Sequence, residues 1–511
     1  MNRSLFRLAL GATAVGLIAA PGVFAQHPGP LSPASQPPPV SSAAYSQPAA
    51  PPPASTPPAV QLPVTAPPVV DSQATPCPPA PAATPPAPKF DILWNNGLFI
   101  QSANKEFSAH VGGTVHYDAA WYHASPLLQN ATGGTGRFVD GVNMRRGRMF
   151  MEGTLYSAVD YKFEIEFANG FVPAGLTVPA GPTTVSNSPG PTDAWITIKD
   201  VPFFGNIRIG NQKEWFSLEH LNNYRALEFM ERSYLFDFSQ PTAFNNGFSP
   251  GVSAFRTWAN DRVFSGVGMY KNDSDLIGFG QGNGNYAVTG RLAALPLWMP
   301  DDKMFWHVGG AMSHRDPVNG QVQVRIRDEV RNGPFPLLNL IGNTGLVNTD
   351  SQTLYNLETA AVFGPLTLQA EYTANVLHGA SSTTGTAFGN VFLQGFYTEA
   401  LVLLTGESRT WNAKNAFFNR VTPKRPIKFK PGEGEEYGWG AWELGVRYTY
   451  LDLSNRGLQA GRLDNVTIGL NWYMNTNAKL QFNYDFVRRG DTNNPAQGDV
   501  HGFGTRMAVE F

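Results

Sequence analysis

Long stretches of this chain alternate apolar and polar side chains at every second residue, and that period limits what it can fold into. Phe107, Ala109, Val111, Val115, Tyr117, Ala119 and Trp121 share one phase; Ser108, His110, Thr114, His116, Asp118 and Tyr122 fill the other. Tyr161, Phe163, Ile165 and Phe167 alternate in the same way with Lys162, Glu164 and Glu166. Successive side chains of a strand point to opposite faces, so a period of two means a sheet with one apolar and one polar face. A third run includes its own turn: Tyr355, Leu357, Thr359, Ala361 and Phe363 lead into Gly364-Pro365, and Leu366, Leu368, Ala370 and Tyr372 return. Val466, Ile468, Leu470 and Trp472 precede an Asn475-Thr476-Asn477 turn, after which Leu480, Phe482, Tyr484 and Phe486 follow. The closing run places Phe503, Thr505, Met507, Val509 and Phe511 on one face.

A soluble sandwich alternates too, but its strands are short and its apolar face points inward. Here the apolar phase is rich in aromatics near the strand ends, as lipid interfaces favour, and the other phase carries charges on strand after strand. No run approaches the ~18 apolar residues of a membrane helix. In a bilayer no backbone group can be left unpaired, so such a sheet must close on itself. The expected fold is all-β, a transmembrane antiparallel barrel over residues 89–511. At about 26 residues for a strand and its share of loops, it has about sixteen strands, with eighteen as the alternative. A barrel of that size encloses an aqueous channel.

The N-terminal part is of another kind. Arg3 and Arg7 precede an apolar stretch from Leu8 to Ala20, and Val23-Phe24-Ala25 offers a cleavage site. Residues 1–25 are therefore expected to be an export signal. Residues 26–88 hold 22 of the 42 prolines and one charge, Asp71. Proline removes donors and fixes φ, so this is a disordered segment, either a passive tether or one that touches the cell wall. The one cysteine, Cys77, lies in it, which excludes an intrachain disulfide and thiolate metal chemistry. A formal net charge of −2 offers no basis for nucleic-acid binding. An even strand count puts both termini in the periplasm, with the barrel embedded in outer-membrane lipid. Phe511 is then expected to be the signal read by the barrel-assembly machinery.

Five stretches, in order, resemble the phosphate-selective porin family (porins O and P). They are RRGRMFMEGTLYSAVDYKFEIEFA from Arg145, NIRIGNQKEWFSLEHLNNYRALEFMERS from Asn206, LTGESR from Leu404, GAWELGVRYTYLDLSN from Gly440 and DNVTIGLNWYMNTNAKLQFNYDFV from Asp464. The resemblance implies a sixteen-stranded anion-conducting barrel, a homotrimer, with an inward-folded loop narrowing the pore. It also carries anion binding onto the arginine pair Arg145 and Arg146.

Residue chemistry gives this reading its candidates. Arginine stays charged and can bind phosphate oxygens through two parallel hydrogen bonds. With Met149, Met151 and Leu155 in the lipid phase, Arg146 and Arg148 face the lumen, whereas Arg145 falls in the lipid phase unless it sits at the rim. In QVQVRIRDEVR from Gln321, Arg325 and Arg327 share a face. They read either as a ladder of anion sites about 6–7 Å apart or as a solvated strand end. Asp328 and Glu329 beside them weaken anion binding. After Lys213, the residues Trp215, Phe216, Leu218, Leu221, Tyr224, Leu227 and Met230 are spaced mostly by three, which predicts helical turns in an apolar constriction loop. Lys213, Arg225 and Arg232 could face the ion, with Glu214, Glu219, Glu228 and Glu231 pairing with cations. Lys162, Arg208, Arg291 and Arg447 have lumen phase, as do Asp118, Glu164, Glu166, Glu371, Glu443 and Asp485. That mixed wall fits a general, weakly selective porin as well as an anion channel.

Other chemistry finds no support. His110 and His116 share a face with Asp118 but stand about 20 Å apart along a strand, too far for one metal ion. The glycines from Gly278 precede a strand, which reads as a hairpin loop rather than a dinucleotide fold. Ser253 and Ser313 have no partners in sequence for a nucleophile. No enzyme, metal or cofactor is expected. The competing class is a structural outer-membrane protein tethered through residues 26–88.

Overall fold

The computed structural model describes residues 89–131, 134–171, 188–239, 247–271, 285–301, 303–331, 340–428, 437–490 and 495–511. The expected signal, the proline-rich segment with Cys77 and the loop from Gly278 lie outside them.

The alternating runs form sixteen long strands: β1 Ser108–Ala124, β2 Gly141–Leu155, β3 Val159–Phe171, β4 Ser188–Val201, β5 Gly205–Lys213, β6 Phe248–Trp258, β7 Val263–Lys271 and β8 Tyr286–Met299. They continue as β9 Met304–Arg315, β10 Ser351–Phe363, β11 Leu366–Ser382, β12 Ala387–Leu403, β13 Ala441–Asn455, β14 Leu458–Tyr473, β15 Ala478–Gly490 and β16 Gly498–Glu510. Each pairs antiparallel with the next, and β16 returns to β1 from Val500↔Ala124 to Glu510↔Thr114, which closes the barrel. Phe511 extends the seam by one pair, its N–H donating to Gly113 O at 3.0 Å and its carbonyl accepting from Gly113 N at 2.5 Å. A hairpin of Phe90–Trp94 and Leu98–Ser102 continues the same edge of β1 over Ser108–Val111.

Outward positions are apolar and exposed, with Val142, Leu292 and Leu357 above 60%. Met507, Val509 and Phe511 belong to that lipid face. Inward positions are buried, because the lumen is not empty. Residues 214–239, between β5 and β6, fold inside as α1 Leu218–Leu221, a 3-10 turn Tyr224–Ala226 and α2 Tyr234–Ser239. The predicted helical turns are there, and Trp215, Phe216, Leu218, Leu221, Tyr224, Leu227 and Met230 are all buried.

Two further connections join this loop. From the β9–β10 connection, Val322, Val324 and Ile326 pack with Tyr234, Leu235 and Phe238 of α2 against Tyr397, Leu451 and Leu463 of the wall. From the β12–β13 connection, Trp411 and Phe418 pack with Trp215 and Leu218 against Phe255, Phe264 and Phe305. Each large apolar side chain so buried contributes about 1.5–3 kcal/mol, enough to hold a loop without regular structure of its own. At Gly445 and Gly469 the wall must come close: a Cβ there would lie 3.1 Å and 2.9 Å from the ring of Phe229. Those two glycines make the notch into which the loop tip fits.

Candidate anion-conducting site

The arginine pair comes first, because strict alternation sends Arg145 to the lipid. A β-bulge prevents this: His116 pairs with Arg146 and Tyr117 with Met144, so Arg145 has no residue opposite. The extra residue shifts the phase of β2, leaving Val142 and Met144 outward on one side and Met149 and Met151 outward on the other. Arg145, Arg146 and Arg148 are in consequence all buried inside.

These arginines meet the constriction loop at Glu231. Its carboxylate accepts from Arg145 at 2.9 and 3.0 Å and from Arg506 at 2.7 Å, with Arg146 and Arg331 both at 3.4 Å. Burial alone would raise the Glu231 pKa, but Arg145, Arg146, Arg331 and Arg506 together hold it well below the ordinary carboxylate range. Arg148 turns to the wall, reaching Glu166 at 2.6 Å and Glu164 at 2.8 Å while its guanidinium lies 4.6 Å from the Tyr224 ring centroid. Lys162 pairs with Asp193 at 2.9 Å.

Lys213 and Arg232 are held differently. Lys213 Nζ donates to the carbonyls of His220 at 2.7 Å, Asn222 at 2.9 Å and Leu221 at 3.3 Å. Arg232 donates to Glu219 O and Asn222 O, both at 2.7 Å. Neither has a carboxylate within ion-pair distance among the described residues. Both line a small cavity of about 40 Å³ with Arg145, Arg146, Arg148 and Lys162, facing only Glu164, Asp193 and Glu231 as acids.

The remaining candidates lie elsewhere. Arg291 is sealed against Glu358 at 2.6 Å, and Arg447 against Glu329 and Glu219. Arg225 reaches Glu510 at 3.4 Å and lies over Phe150. Arg208 stacks on Trp195 on the side of the barrel where β2 turns into β3 and β4 into β5. The expected ladder does not form as a row of ion sites. Val322, Val324 and Ile326 keep their phase by facing the apolar cluster, but Arg327 is spent on Asp237 of α2. The segment is neither a solvated strand end nor a set of equivalent cation sites, because it folds inward and docks on α2. Among the loop acids, Glu214 binds Arg315 at 2.8 Å, Glu219 binds Ser233 and Arg447, and Glu228 binds Arg409 at 3.1 Å.

Arg315, Arg331, Arg409 and Arg506 were not singled out from the sequence. Arg506 was legible, since it lies in the lumen phase opposite Met507. Arg409 and Arg331 lie in irregular connections, where no period marks a direction. Asp118 and Glu443 are occupied by two of them, with Asp118 to Arg506 at 2.7 Å and Glu443 to Arg409 at 2.8 Å. Glu371 instead accepts from the α1 backbone at Leu218 and Glu219. The wall that reads as mixed in charge is thus largely a set of anchors. His116 meets Arg146 at 3.3 Å, His110 meets Glu152 at 3.4 Å, and no three metal-ligating side chains cluster among the described residues.

A family profile described as "Phosphate-selective porin O and P" matches residues 110–511. Porin O of Pseudomonas aeruginosa is 24% identical over 445 residues, covering 81% of this chain and 91% of that protein. An uncharacterized protein of Caulobacter vibrioides is 27% identical over 435 residues, covering 82% and 77%. Among solved structures, the outer membrane channel DcaP of Acinetobacter baumannii aligns over 80% of this chain and 99% of its own, with a TM-score of 0.46 and 11% identity. OmpF of Salmonella typhi, in complex with daunomycin, covers 82% and 100% with a TM-score of 0.46 and 13% identity. With its closed sixteen-stranded barrel and this match across most of its length, the chain belongs to the phosphate-selective porin O and P family, outer-membrane porins for small anions.

Proposed function

We propose that the anion filter is the small cavity between β2, β3, β5 and the constriction loop, with Lys213 and Arg232 supplying its uncompensated charge. The observation that carries this is the pair's support: carbonyl oxygens orient the two cations without neutralising them. Arg145, Arg146, Arg148 and Lys162 add positive potential, each damped by a carboxylate. An ion that replaces its water shell here meets several donors in series, strong enough to admit it and spread enough to release it. Passive diffusion of phosphate and similar small anions follows; a channel, rather than an enzyme, is what family and fold indicate. The side with short turns is placed in the periplasm together with both termini. Assembly through the Phe511 strand, a homotrimeric state and binding of residues 26–88 to the cell wall are separate proposals.

A planar bilayer tests the filter. In a KCl gradient the reversal potential should report anion preference, and phosphate should block chloride current. Lys213→Gln should weaken that block about tenfold, the loss of one charge-assisted contact. Cation preference, or phosphate block unchanged in Lys213→Gln, rejects this assignment and leaves a general porin.

A further inference from the structure

On the short-turn side of the filter lies a cavity of about 990 Å³ with different chemistry. It shares Lys162, Asp193, Lys213 and Asn223 with the filter, so the two follow one another along the lumen. Its charged lining is balanced, with five acidic and five basic residues, so a small inorganic anion gains little net attraction there. What it offers instead is aromatic surface around one cation. The Arg208 guanidinium lies 4.0 Å from the Trp195 ring centroid, 5.0 Å from that of Phe255 and 5.8 Å from that of Trp215. Its Nε donates to Thr197 Oγ1 at 3.0 Å, and its terminal nitrogens have no hydrogen-bond partner among the described residues. Stacking fixes the plane of the group, and the Thr197 bond fixes its rotation. Two parallel donors are left for a planar acceptor beside the apolar faces of Phe255 and Phe417, which line the same cavity.

We propose that this vestibule is a binding subsite for aromatic carboxylates. The carboxylate takes the two terminal nitrogens of Arg208 in bidentate fashion, and the ring covers the aromatic surface around it. A cavity of this volume holds a ring-bearing molecule, and apolar contact supplies the affinity that net charge does not. The subsite rests on the reading of the lumen as a solute path, but not on which anion the filter prefers.

The test compares benzoate, acetate and phosphate as blockers of chloride current through the full chain in a planar bilayer. Benzoate should half-block at about a tenfold lower concentration than acetate, because only benzoate adds ring contact. Arg208→Gln should raise the benzoate half-block by about tenfold and leave the phosphate half-block within about twofold. Trp195→Leu, which keeps every charge, should weaken benzoate more than acetate. Equal block by benzoate and acetate, or variants that shift phosphate and benzoate alike, overturns the proposal. If the wild-type chain carries no current, the channel reading fails on its own. Calorimetric titration of the detergent-solubilised chain with benzoate then decides the subsite: binding that Arg208→Gln abolishes supports it, and no binding rejects it.

Discussion

Around Glu231, four guanidiniums converge on one carboxylate; at Lys213 and Arg232, two cations converge on backbone carbonyls. Both groups are buried in the same lumen and attached to the same loop, yet their partners are of opposite kinds. In the first, four guanidiniums share the Glu231 carboxylate and tie β2, β16 and the β9–β10 connection to the loop. In the second, both side chains donate to backbone carbonyls, with no carboxylate within ion-pair distance among the described residues. A count of lumen arginines and acids cannot separate the two, because the distinction lies in the partner.

The comparison breaks most visibly if Glu231 is removed. Glu231→Gln leaves Arg145, Arg146, Arg331 and Arg506 facing one another in a buried site, a loss of about 3–5 kcal/mol for a broken buried pair. The loop should undock. Limited proteolysis should then cut within residues 214–239, and single-channel records should show larger, noisier conductance with reduced anion preference. A variant that stays protected from protease with unchanged conductance would show that Glu231 is not the anchor.

A second anchor should respond to pH. Asp328 of the β9–β10 connection is buried close to Asp485 of β15, and burial, followed by Glu329 nearby, pushes its carboxyl up to about 6. Arg331 opposes that rise, and Tyr122 and Tyr234 face the same pair. The docked connection therefore keeps a proton that an exposed aspartate, near 3.9, would release. Its docking is fully favourable below about pH 4 and weakens as pH rises through about 6. Protease sensitivity in residues 316–331 should increase over that window, and Asp328→Asn should abolish the dependence. A flat profile in the wild-type chain would show that the Asp328 carboxyl does not control docking.

The smallest effect belongs outside the lumen. Arg488 and Asp499 form a 3.0 Å pair, but neither side chain is buried, at 61% and 35% exposure. Arg488→Gln should change neither heat resistance of the barrel nor reversal potential, since an exposed pair is screened and entropically costly to hold. A measurable shift would mean that pairing alone, without burial, fixes the loops.

Much of this protein was legible along the chain, for a steric reason. Strand period, the Gly364-Pro365 and Asn475–Asn477 turns, the lipid phase ending at Phe511 and the helical spacing after Lys213 all depend on neighbours a few residues apart, and the strand count follows from chain length. Tertiary structure alone decided which cations meet carboxylates and which meet only backbone carbonyls. Arg145 points inward because of a bulge created by its pairing with β1, and Arg327 is occupied by an aspartate 90 residues away. Arg506 meets Glu231 across a separation of 275 residues. Alternation tells which face a side chain takes; whether its charge survives there depends on what the closed barrel brings opposite it.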